Sequence, residues 1–326
     1  MQQNSLIVIT GAAGFIGSYL VGTLNNLGYH NLILVDDFSR LDKVPNFFTK
    51  KFSTQIHRDE FITWLEAHGA GVDYIIHLGA KTDTTLQDKA VFDRLNESYT
   101  QAIWRLATQF DIPLVYASSA ATYGGGEHGY DDDHTIIPQL QPLNPYGWSK
   151  QHVDEYILAQ ENAPSFWAGL KFFNVYGPNE YHKGRMASVI LHAYKQIKEN
   201  GSMKLFRSHN AAYADGGQLR DFIYVKDVAE VIIWLLNQKP KSGIYNLGTG
   251  KARTFYDLAS SVFKALEMPE NISYIDTPMD IRDSYQYYTQ ANMDKLKMAG
   301  YNQPFTSLEN GITAYVQDYL MLDKYH

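Results

Sequence analysis

The amino-acid sequence predicts an α/β fold, in which a doubly wound parallel sheet is joined to a smaller mixed α/β lobe in the C-terminal part of the chain. Two observations carry this prediction: short apolar runs alternate with amphipathic stretches, and a glycine repeat follows the first run. The apolar runs of the first half span residues 6–10, 32–35, 74–78 and 114–117. Continuous apolar strands separated by helical patterns are typical of parallel sheets covered on both faces.

The pattern changes after about Lys171, where loop-like stretches at 174–184 and 210–219 interrupt the elements. We therefore expect a first domain over residues 1–173 that also takes in about 220–250. Residues 174–326 are expected to form mainly a substrate-binding lobe. The two lobes are predicted to be interleaved, because no linker-like composition separates them.

Composition excludes several classes of protein. The net charge of −7 comes without a basic block, which argues against binding of nucleic acid. The sequence has no cysteine, so thiolate catalysis, a cysteine-built zinc site and disulfides are excluded. No run approaches the roughly 20 apolar residues of a membrane span, and no signal sequence is evident, so we expect a cytoplasmic protein. Three adjacent aspartates at 131–133 indicate a solvated turn rather than a metal site, and we expect no metal.

The first predicted strand leads into a glycine repeat, Gly11, Gly14 and Gly17, at the start of a helical pattern. Such a repeat permits a tight turn and a close backbone approach to a pyrophosphate, with helix N–H groups facing the phosphates. Together, strand, repeat and helix predict a Rossmann-type dinucleotide-binding unit.

The second predicted strand ends at Asp36 and Asp37, roughly 20 residues beyond the repeat. An acidic residue there favours NAD, because it can accept hydrogen bonds from the adenosine ribose. Arg40 and Lys43 follow closely, and either cation could neutralise the 2′-phosphate of NADP. These residues leave the choice of cofactor open.

Tyr146 and Lys150 are four residues apart in a helical pattern, so both can face one nicotinamide ring. A phenol with a pKa of about 10 is a poor base at neutral pH. We expect the neighbouring ammonium and the positive nicotinamide ring to lower the pKa of Tyr146. Ser119, at the end of an upstream strand, can hold a substrate hydroxyl. Together, Ser119, Tyr146 and Lys150 indicate hydride chemistry.

On these residues the chain resembles the extended short-chain dehydrogenase/reductase family over nearly its whole length. Further matching motifs are Asn174-Val175-Tyr176-Gly177-Pro178, Arg220-Asp221-Phe222 and Asn246-Leu247-Gly248. Within that family the chain is most similar to epimerases of nucleotide-linked heptoses. That likeness lies in residues 118–125, His182-Lys183-Gly184, residues 186–189 and residues 288–291.

The resemblance implies a redox epimerisation that uses NADP, with NAD as the other possible cofactor. The implied reaction inverts C6 of ADP-D-glycero-D-manno-heptose to give ADP-L-glycero-D-manno-heptose for lipopolysaccharide core biosynthesis. It assigns one acid/base role to Tyr146 and the second to Lys183, with Lys150 tuning Tyr146. Chemistry alone favours a solvated loop residue at Lys183, and the resemblance reverses that interpretation. The resemblance also implies a homo-oligomer, and a pentamer for the heptose epimerases.

Further site residues follow from the resemblance. The implied cofactor contacts are Gly11, Gly14, Phe15, Ile16, Gly17, Asp36, Asp37, Arg40, Leu78, Gly79, Ala80, Lys81, Thr82, Asn96, Lys150 and Val175. The implied substrate contacts are Ser119, Asn174, Arg185, His192, Phe206, Arg207, Ser208, His209, Arg220 and Tyr285. The guanidinium of Arg220 also suits a diphosphate on its own chemistry, whereas His192 could as well be an ordinary helix-face histidine.

Two departures from the family pattern lie near the predicted substrate lobe: Arg185 stands where a small residue is usual, and segment 210–219 is longer than usual.

Three alternative functions also compete. A 4,6-dehydratase needs an added acid and base where this chain has Ala120 and Ala121. A UDP-hexose 4-epimerase has no evident need of Lys183. A non-enzymatic dinucleotide-sensing module would not need Ser119, Tyr146 and Lys150 together.

Overall fold

The computed structural model describes residues 1–282 and 285–326. The strands within these residues are, in chain order, β1 (Ile7–Thr10), β2 (Leu32–Asp36), β3 (Thr54–His57), β4 (Tyr74–His77), β5 (Leu114–Ser119), β6 (Trp167–Phe172), β7 (Asn174–Tyr176), β8 (Met203–Phe206), β9 (Leu219–Tyr224), β10 (Gly243–Leu247), β11 (Ala252–Thr254) and β12 (Ile272–Ile275).

The helices in the same part of the chain are α1 (Phe15–Asn26), α2 (Val44–Phe47), α3 (Arg58–His68), α4 (Lys89–Phe92), α5 (Tyr99–Gln109), α6 (Pro145–Leu158), α7 (Val189–Asn200), α8 (Val225–Gln238), α9 (Phe255–Ala265), α10 (Met279–Arg282), α11 (Asp294–Met298) and α12 (Leu308–Asp318). A π-helical stretch, Asp93–Ser98, precedes α5. Among the described residues no helix has the length and apolar character required to span a membrane.

Seven strands form one parallel sheet in the order β10-β6-β5-β4-β1-β2-β3. The strand order reverses between β1 and β4: β2 and β3 follow β1 toward one edge of the sheet, whereas β4, β5, β6 and β10 extend toward the other. In open α/β sheets, ligands bind outside the carboxyl ends of the strands at such a switch point. The predicted doubly wound parallel sheet is confirmed.

Both faces of this sheet are buried along its central strands, because most of their side chains are apolar. Along β1, Ile7 and Ile9 point into a core that also contains Leu20 of α1. Val8, between them, points into a second core on the opposite face with Trp104 of α5. Successive side chains of a strand alternate between faces, so a continuous apolar run supplies two cores.

The smaller lobe contains a three-stranded sheet, β11-β9-β7, and a two-stranded sheet, β12-β8. The first is mixed, because β9 is parallel to β7 and antiparallel to β11. The predicted smaller mixed lobe is therefore confirmed. After β9 the chain returns to the large sheet: α8 packs against α1, and β10 pairs with β6.

Candidate active site

The turn between β1 and α1 brings other backbone segments unusually close. Gly11 has a φ of +69°, and a Cβ at this position would lie 2.7 Å from the backbone nitrogen of Gly79. A Cβ on Gly17 would collide with the carbonyl oxygen of Gly11. Helix α1 starts after Gly14, and no side chain of the described residues caps its first turn. Its N–H groups can therefore serve an anionic ligand.

Asp36, at the end of β2, is paired with a lysine. Asp36 accepts a hydrogen bond from the Ala13 N–H at 2.9 Å, and the Lys43 ammonium lies 2.8 Å from its other oxygen. Asp37 pairs with Arg58 at 3.3 Å. A hydrogen bond from the Ser39 side chain is the largest cause that lowers the pKa of Asp37, and Arg58 adds to it.

The segment after β4 is held from behind by Asn96, which lies in the π-helical stretch. Its side chain accepts from the Lys81 N–H at 2.8 Å and donates to the Lys81 carbonyl at 3.0 Å. It also donates to the Ser149 hydroxyl at 2.9 Å. Asn96 is fully buried and does not line the cavity described below. It positions the 78–82 segment instead of facing the crevice.

Tyr146, Lys150 and Ser119 meet at the carboxyl end of β5. Helix α6 begins at Pro145, and the Asn144 side chain caps it by accepting from the Gly147 N–H at 2.8 Å. The Lys150 ammonium donates to the carbonyl oxygen of Ala117 at 2.7 Å. The expected constellation is thus assembled by one capped helix on one strand end.

In the protein without cofactor, the pKa of Tyr146 lies above its ordinary value, opposite to the direction expected with the nicotinamide ring bound. Burial raises this pKa above its ordinary value, while a side-chain hydrogen bond with Ser119 lowers it only in part. Lys150 is also buried, and burial lowers its pKa to about 8 against the raising effect of Asp154. Removing both groups from water disfavours both charges, which the sequence argument left out.

Asp154 is the centre of a buried polar network that the sequence analysis missed. It accepts from the Tyr116 hydroxyl at 3.0 Å and from the Ser118 hydroxyl at 2.6 Å. The Lys171 ammonium lies 2.6 Å from it, and both members of this ion pair are fully buried. The available signals were a lysine inside an apolar strand and a carboxylate one helical turn beyond Lys150.

Lys183 reaches the same cavity from a loop more than 30 residues further along the chain. Its ammonium lies 5.5 Å from the ring centroid of Phe15. Burial lowers its pKa, and Glu180 opposes that shift. The adjacent His182, which sequence reasoning did not select, also lines the cavity and contacts the Asn46 amide at 3.2 Å. Burial, followed by the nearby cations, lowers the pKa of His182 to about 4.

Three predicted substrate residues of the smaller lobe pack together in a separate cluster. The Arg220 guanidinium lies 5.4 Å from the ring centroid of Tyr285, whose ring packs edge-on against Phe206. Arg207 pairs with Asp276 at 3.5 Å. The cluster adjoins the cavity through Phe255, which lies under Arg220 at 5.6 Å and lines the cavity. The cluster contains Phe206, Arg220 and Tyr285, and the predicted residues Arg207 and His209 lie nearby with exposed side chains.

Three predicted substrate residues lie elsewhere. Arg185 is exposed and does not line the cavity. His192 is partly buried on α7, with its backbone N–H bonded to the Ser188 carbonyl at 3.3 Å. The Ser208 hydroxyl donates to the carbonyl oxygen of Asn210 at 2.7 Å. The structure does not bring these three side chains to Tyr146.

One cavity of about 910 Å³ joins the carboxyl ends of the strands to the smaller lobe. It is lined by every predicted catalytic residue and by nearly all predicted cofactor residues, namely Gly11, Gly14, Phe15, Ile16, Gly17, Asp36, Asp37, Arg40, Leu78, Gly79, Ala80, Lys81, Thr82, Ser119, Tyr146, Lys150, Val175 and Lys183, and by the predicted substrate residue Asn174. A volume of this order suits a dinucleotide with part of a second ligand.

A parallel sheet with a glycine turn at its switch point and a Tyr/Lys pair at a strand end defines a nicotinamide-dependent enzyme of the short-chain dehydrogenase/reductase type. The model of the NAD dependent epimerase/dehydratase family matches residues 7–248. The chain belongs to this family, and it uses a nicotinamide dinucleotide.

Several relatives carry one specific name. The chain is 44% identical over 325 residues to an ADP-L-glycero-D-manno-heptose-6-epimerase of Fusobacterium nucleatum subsp. nucleatum, covering 97% of this chain and 98% of that one. It is 46% identical over 318 residues to the protein of that name from Nitratidesulfovibrio vulgaris strain Hildenborough, with the same coverage.

Solved structures share this fold. The crystal structure of the Helicobacter pylori ADP-L-glycero-D-manno-heptose-6-epimerase superposes with a TM-score of 0.81 at 28% identity, covering 97% of this chain and 96% of that one. The Thermus thermophilus UDP-glucose 4-epimerase in complex with NAD gives 0.75 at 24% identity, covering 95% and 97%. At that identity the second likeness shows the fold alone.

Proposed function

We propose that this chain converts ADP-D-glycero-D-manno-heptose to ADP-L-glycero-D-manno-heptose by transient oxidation and re-reduction of C6. Relatives named for this sugar are 40–46% identical over at least 95% of the chain. The observation that carries the proposal is that Tyr146 and Lys183, from distant parts of the chain, line one cavity. An epimerase must serve two configurations of one carbon, and two proton-transfer groups meet that need.

The residues around the glycine turn fit a nicotinamide dinucleotide. The close approach of Gly11 to Gly79 leaves no room for a Cβ, and the uncapped start of α1 offers N–H donors for a pyrophosphate. When bound, the dinucleotide supplies a group that accepts a hydride and returns it. The remaining chemistry, which is proton transfer at the sugar hydroxyl, falls to the side chains of the chain.

Tyr146 is proposed to exchange the proton of the C6 hydroxyl in one substrate orientation. Loss of a hydride from carbon and of a proton from oxygen converts the alcohol to a ketone, and the return of both restores an alcohol. Ser119 hydrogen bonds with Tyr146 and can hold the same substrate oxygen. Lys150 is proposed to favour the phenolate by its charge once the cofactor is bound, and its hydrogen bond to Ala117 fixes its position.

Lys183 is proposed to exchange the proton in the other orientation. Burial lowers its pKa, which brings the amine nearer to the range where it can both accept and donate a proton. The Phe15 ring 5.5 Å from its ammonium favours the cationic form and limits that shift. The two effects together suit a group that changes protonation during each turnover.

The arginine-aromatic cluster of the smaller lobe is proposed to hold the nucleotide part of the substrate. Arg220 and Tyr285 offer a buried cation and an aromatic face, which suit a diphosphate and a base. Asn174 lines the cavity between this cluster and Tyr146 and is proposed to contact the sugar. Contacts by Arg185, His192 and Ser208 stay predictions.

The cofactor is proposed to be NADP. Lys43 pairs with Asp36, and Arg40, which pairs with Asp42, lines the cavity beside it, so two cations held by carboxylates lie at the end of β2. A 2′-phosphate would meet these cations, whereas a ribose hydroxyl needs the carboxylate alone. Mass analysis of cofactor released from the purified protein tests this choice. Lys43→Ala should weaken NADP+ binding about tenfold and NAD+ binding much less, because one charge-assisted contact is lost.

The activity itself is tested by incubating the protein with ADP-D-glycero-D-manno-heptose and following inversion at C6 by NMR. UDP-glucose in a parallel incubation tests a 4-epimerase, and a mass loss of one water tests a dehydratase. Ala120 and Ala121 form the turn after β5, where a dehydratase needs its added acid and base. Inversion of UDP-glucose but not of the heptose would overturn the proposal.

A further inference from the structure

Residues 324–326 lie against the loop that carries Lys183. The Tyr181 phenol donates a hydrogen bond to the carbonyl oxygen of Lys324 at 2.9 Å. The ring of Tyr325 packs edge-on against the ring of Tyr181, with centroids 4.8 Å apart. The His326 N–H donates to Oδ1 of Asn179 at 2.8 Å. Segment 324–326 thus contacts the loop at two residues shortly before Lys183.

The His326 side chain packs against α1, and this contact is the seat of segment 324–326. Its imidazole stacks on the Tyr19 ring with a centroid distance of 3.8 Å and an interplanar angle of 15°. Its main-chain oxygen accepts a hydrogen bond from the Lys50 ammonium. A Cβ on Gly22 would lie 2.8 Å from Cδ2 of the imidazole. The segment is therefore seated against the helix that begins at the glycine turn.

Asn179 has a left-handed backbone conformation that its hydrogen bonds fix in place. Its φ is +77°, and the residue is fully buried. Its side chain donates to the Ser18 hydroxyl at 3.0 Å and accepts from His326, while Asn46 donates to its carbonyl oxygen at 3.2 Å. Asparagine is one of the non-glycine residues that adopt a positive φ most readily, and these hydrogen bonds fix Asn179 in that conformation. His326 supplies one of them.

The conformation at Asn179 sets where the next residues project. Glu180 is buried and accepts a hydrogen bond from the Ser188 hydroxyl at 2.6 Å. Its carbonyl oxygen accepts from the Lys183 N–H at 3.0 Å, which closes a turn. From that turn the Lys183 ammonium reaches over the Phe15 ring. A change at Asn179 would therefore be transmitted to the Lys183 amine.

We propose that segment 324–326 is a positioning element for Lys183: its seat on α1 holds the 179–183 loop so that the amine enters the active-site cavity. The inference rests on the proposed proton-transfer role of Lys183. Without the seated segment, the loop relaxes and the amine becomes more exposed. Loss of the seat then misplaces a reacting group without removing it.

The test measures Lys183 directly, independently of turnover. The purified protein is treated with acetic anhydride over a pH series, and acetylation of Lys183 is quantified by peptide mass spectrometry with exposed Lys195 as the internal reference. The variants are His326→Ala, Gly22→Ala and a chain lacking residues 324–326. Met321→Ala, at an exposed side chain of the preceding turn, is the matched control.

In the three variants we expect the limiting acetylation rate of Lys183 to rise relative to Lys195, and its apparent pKa to rise because burial no longer lowers it. Met321→Ala should leave both unchanged. The kcat for the heptose should fall roughly 10- to 100-fold with little change in KM, as expected for a misplaced reacting group. Thermal unfolding identifies a variant that is merely unfolded, and the two single substitutions keep the test valid if the shortened chain does not fold.

An unchanged Lys183 acetylation profile in folded His326→Ala and Gly22→Ala would overturn the inference. The proposed function fails differently. Suppose that Lys183→Met retained full epimerase activity, while acetylation of Lys183 still differed between the wild-type chain and His326→Ala or Gly22→Ala. The structural coupling would then stand, and the catalytic role of Lys183 would be refuted.

Discussion

The Lys150 ammonium donates a 2.7 Å hydrogen bond to the carbonyl oxygen of Ala117, which links α6 to β5 two residues before Ser119. Lys150 is only 3% exposed, so this link is protected from water. The positions of Tyr146 and Ser119 are therefore set by a buried bond between two regular elements. Rigid elements hold catalytic groups more closely than loops do.

Replacement of the Tyr146 phenol tests the first proton-transfer role. Tyr146→Phe should keep the fold and the bound cofactor but lower kcat by about 100- to 10 000-fold, because a principal acid/base group is gone. Tyr156→Phe, on the same helix and outside the cavity, is the control. Near-normal turnover of Tyr146→Phe would refute the assignment.

Lys183→Met keeps much of the side-chain length and removes the amine. We expect a loss of turnover of similar size, with the absorbance spectrum of bound cofactor unchanged. Lys195→Met, at an exposed position of α7, should be silent in both measurements. A fully active Lys183→Met would move the second proton-transfer role to another group, with His182 next to be tested.

The buried ion pair between Asp154 and Lys171 should behave as a unit in stability measurements. Asp154→Asn leaves the Lys171 ammonium buried and uncompensated, which costs about 3–5 kcal/mol in the free energy of unfolding. Lys171→Met in the same chain removes that charge and should restore most of the loss. Chemical denaturation of the two variants measures the difference, and equal instability of both would contradict this account.

Gly11→Ala should be destabilising and impair cofactor binding. The φ of +69° disfavours any Cβ by about 1–2 kcal/mol, and the Cβ would also meet the Gly79 backbone. Gly71→Ala is the matched control, because a Cβ there meets nothing within 4 Å. Melting temperatures and cofactor titrations compare the two variants. Equal behaviour would mean that the turn accommodates a side chain by moving.

Much of the dinucleotide-binding half was predictable because its signals are local. The predicted segment 32–35 corresponds to β2 within one residue, and the helical pattern predicted after the glycine repeat is α1. Apolar runs and glycine spacing are properties of neighbouring residues, so the sequence shows them directly. The Tyr146 and Lys150 pair was equally local, since i and i+4 share one helix face.

Two features escaped because they depend on burial by distant segments. The direction of the Tyr146 pKa follows from desolvation, which the sequence does not display. The partnership of Asp154 with Lys171 joins a helix to a strand, and neither residue has a local pattern that names the other.

The sequence by itself determined the class of fold and the glycine turn, because periodicity and spacing are written along the chain, and it predicted that Tyr146 and Lys150 share one helix face. Only the tertiary structure decided that Asn96 supports the crevice from behind and that His326 seats against Asn179, 147 residues away in sequence. Such contacts form when packing brings remote segments together. Their energy comes from shared burial and hydrogen bonds that no single segment encodes.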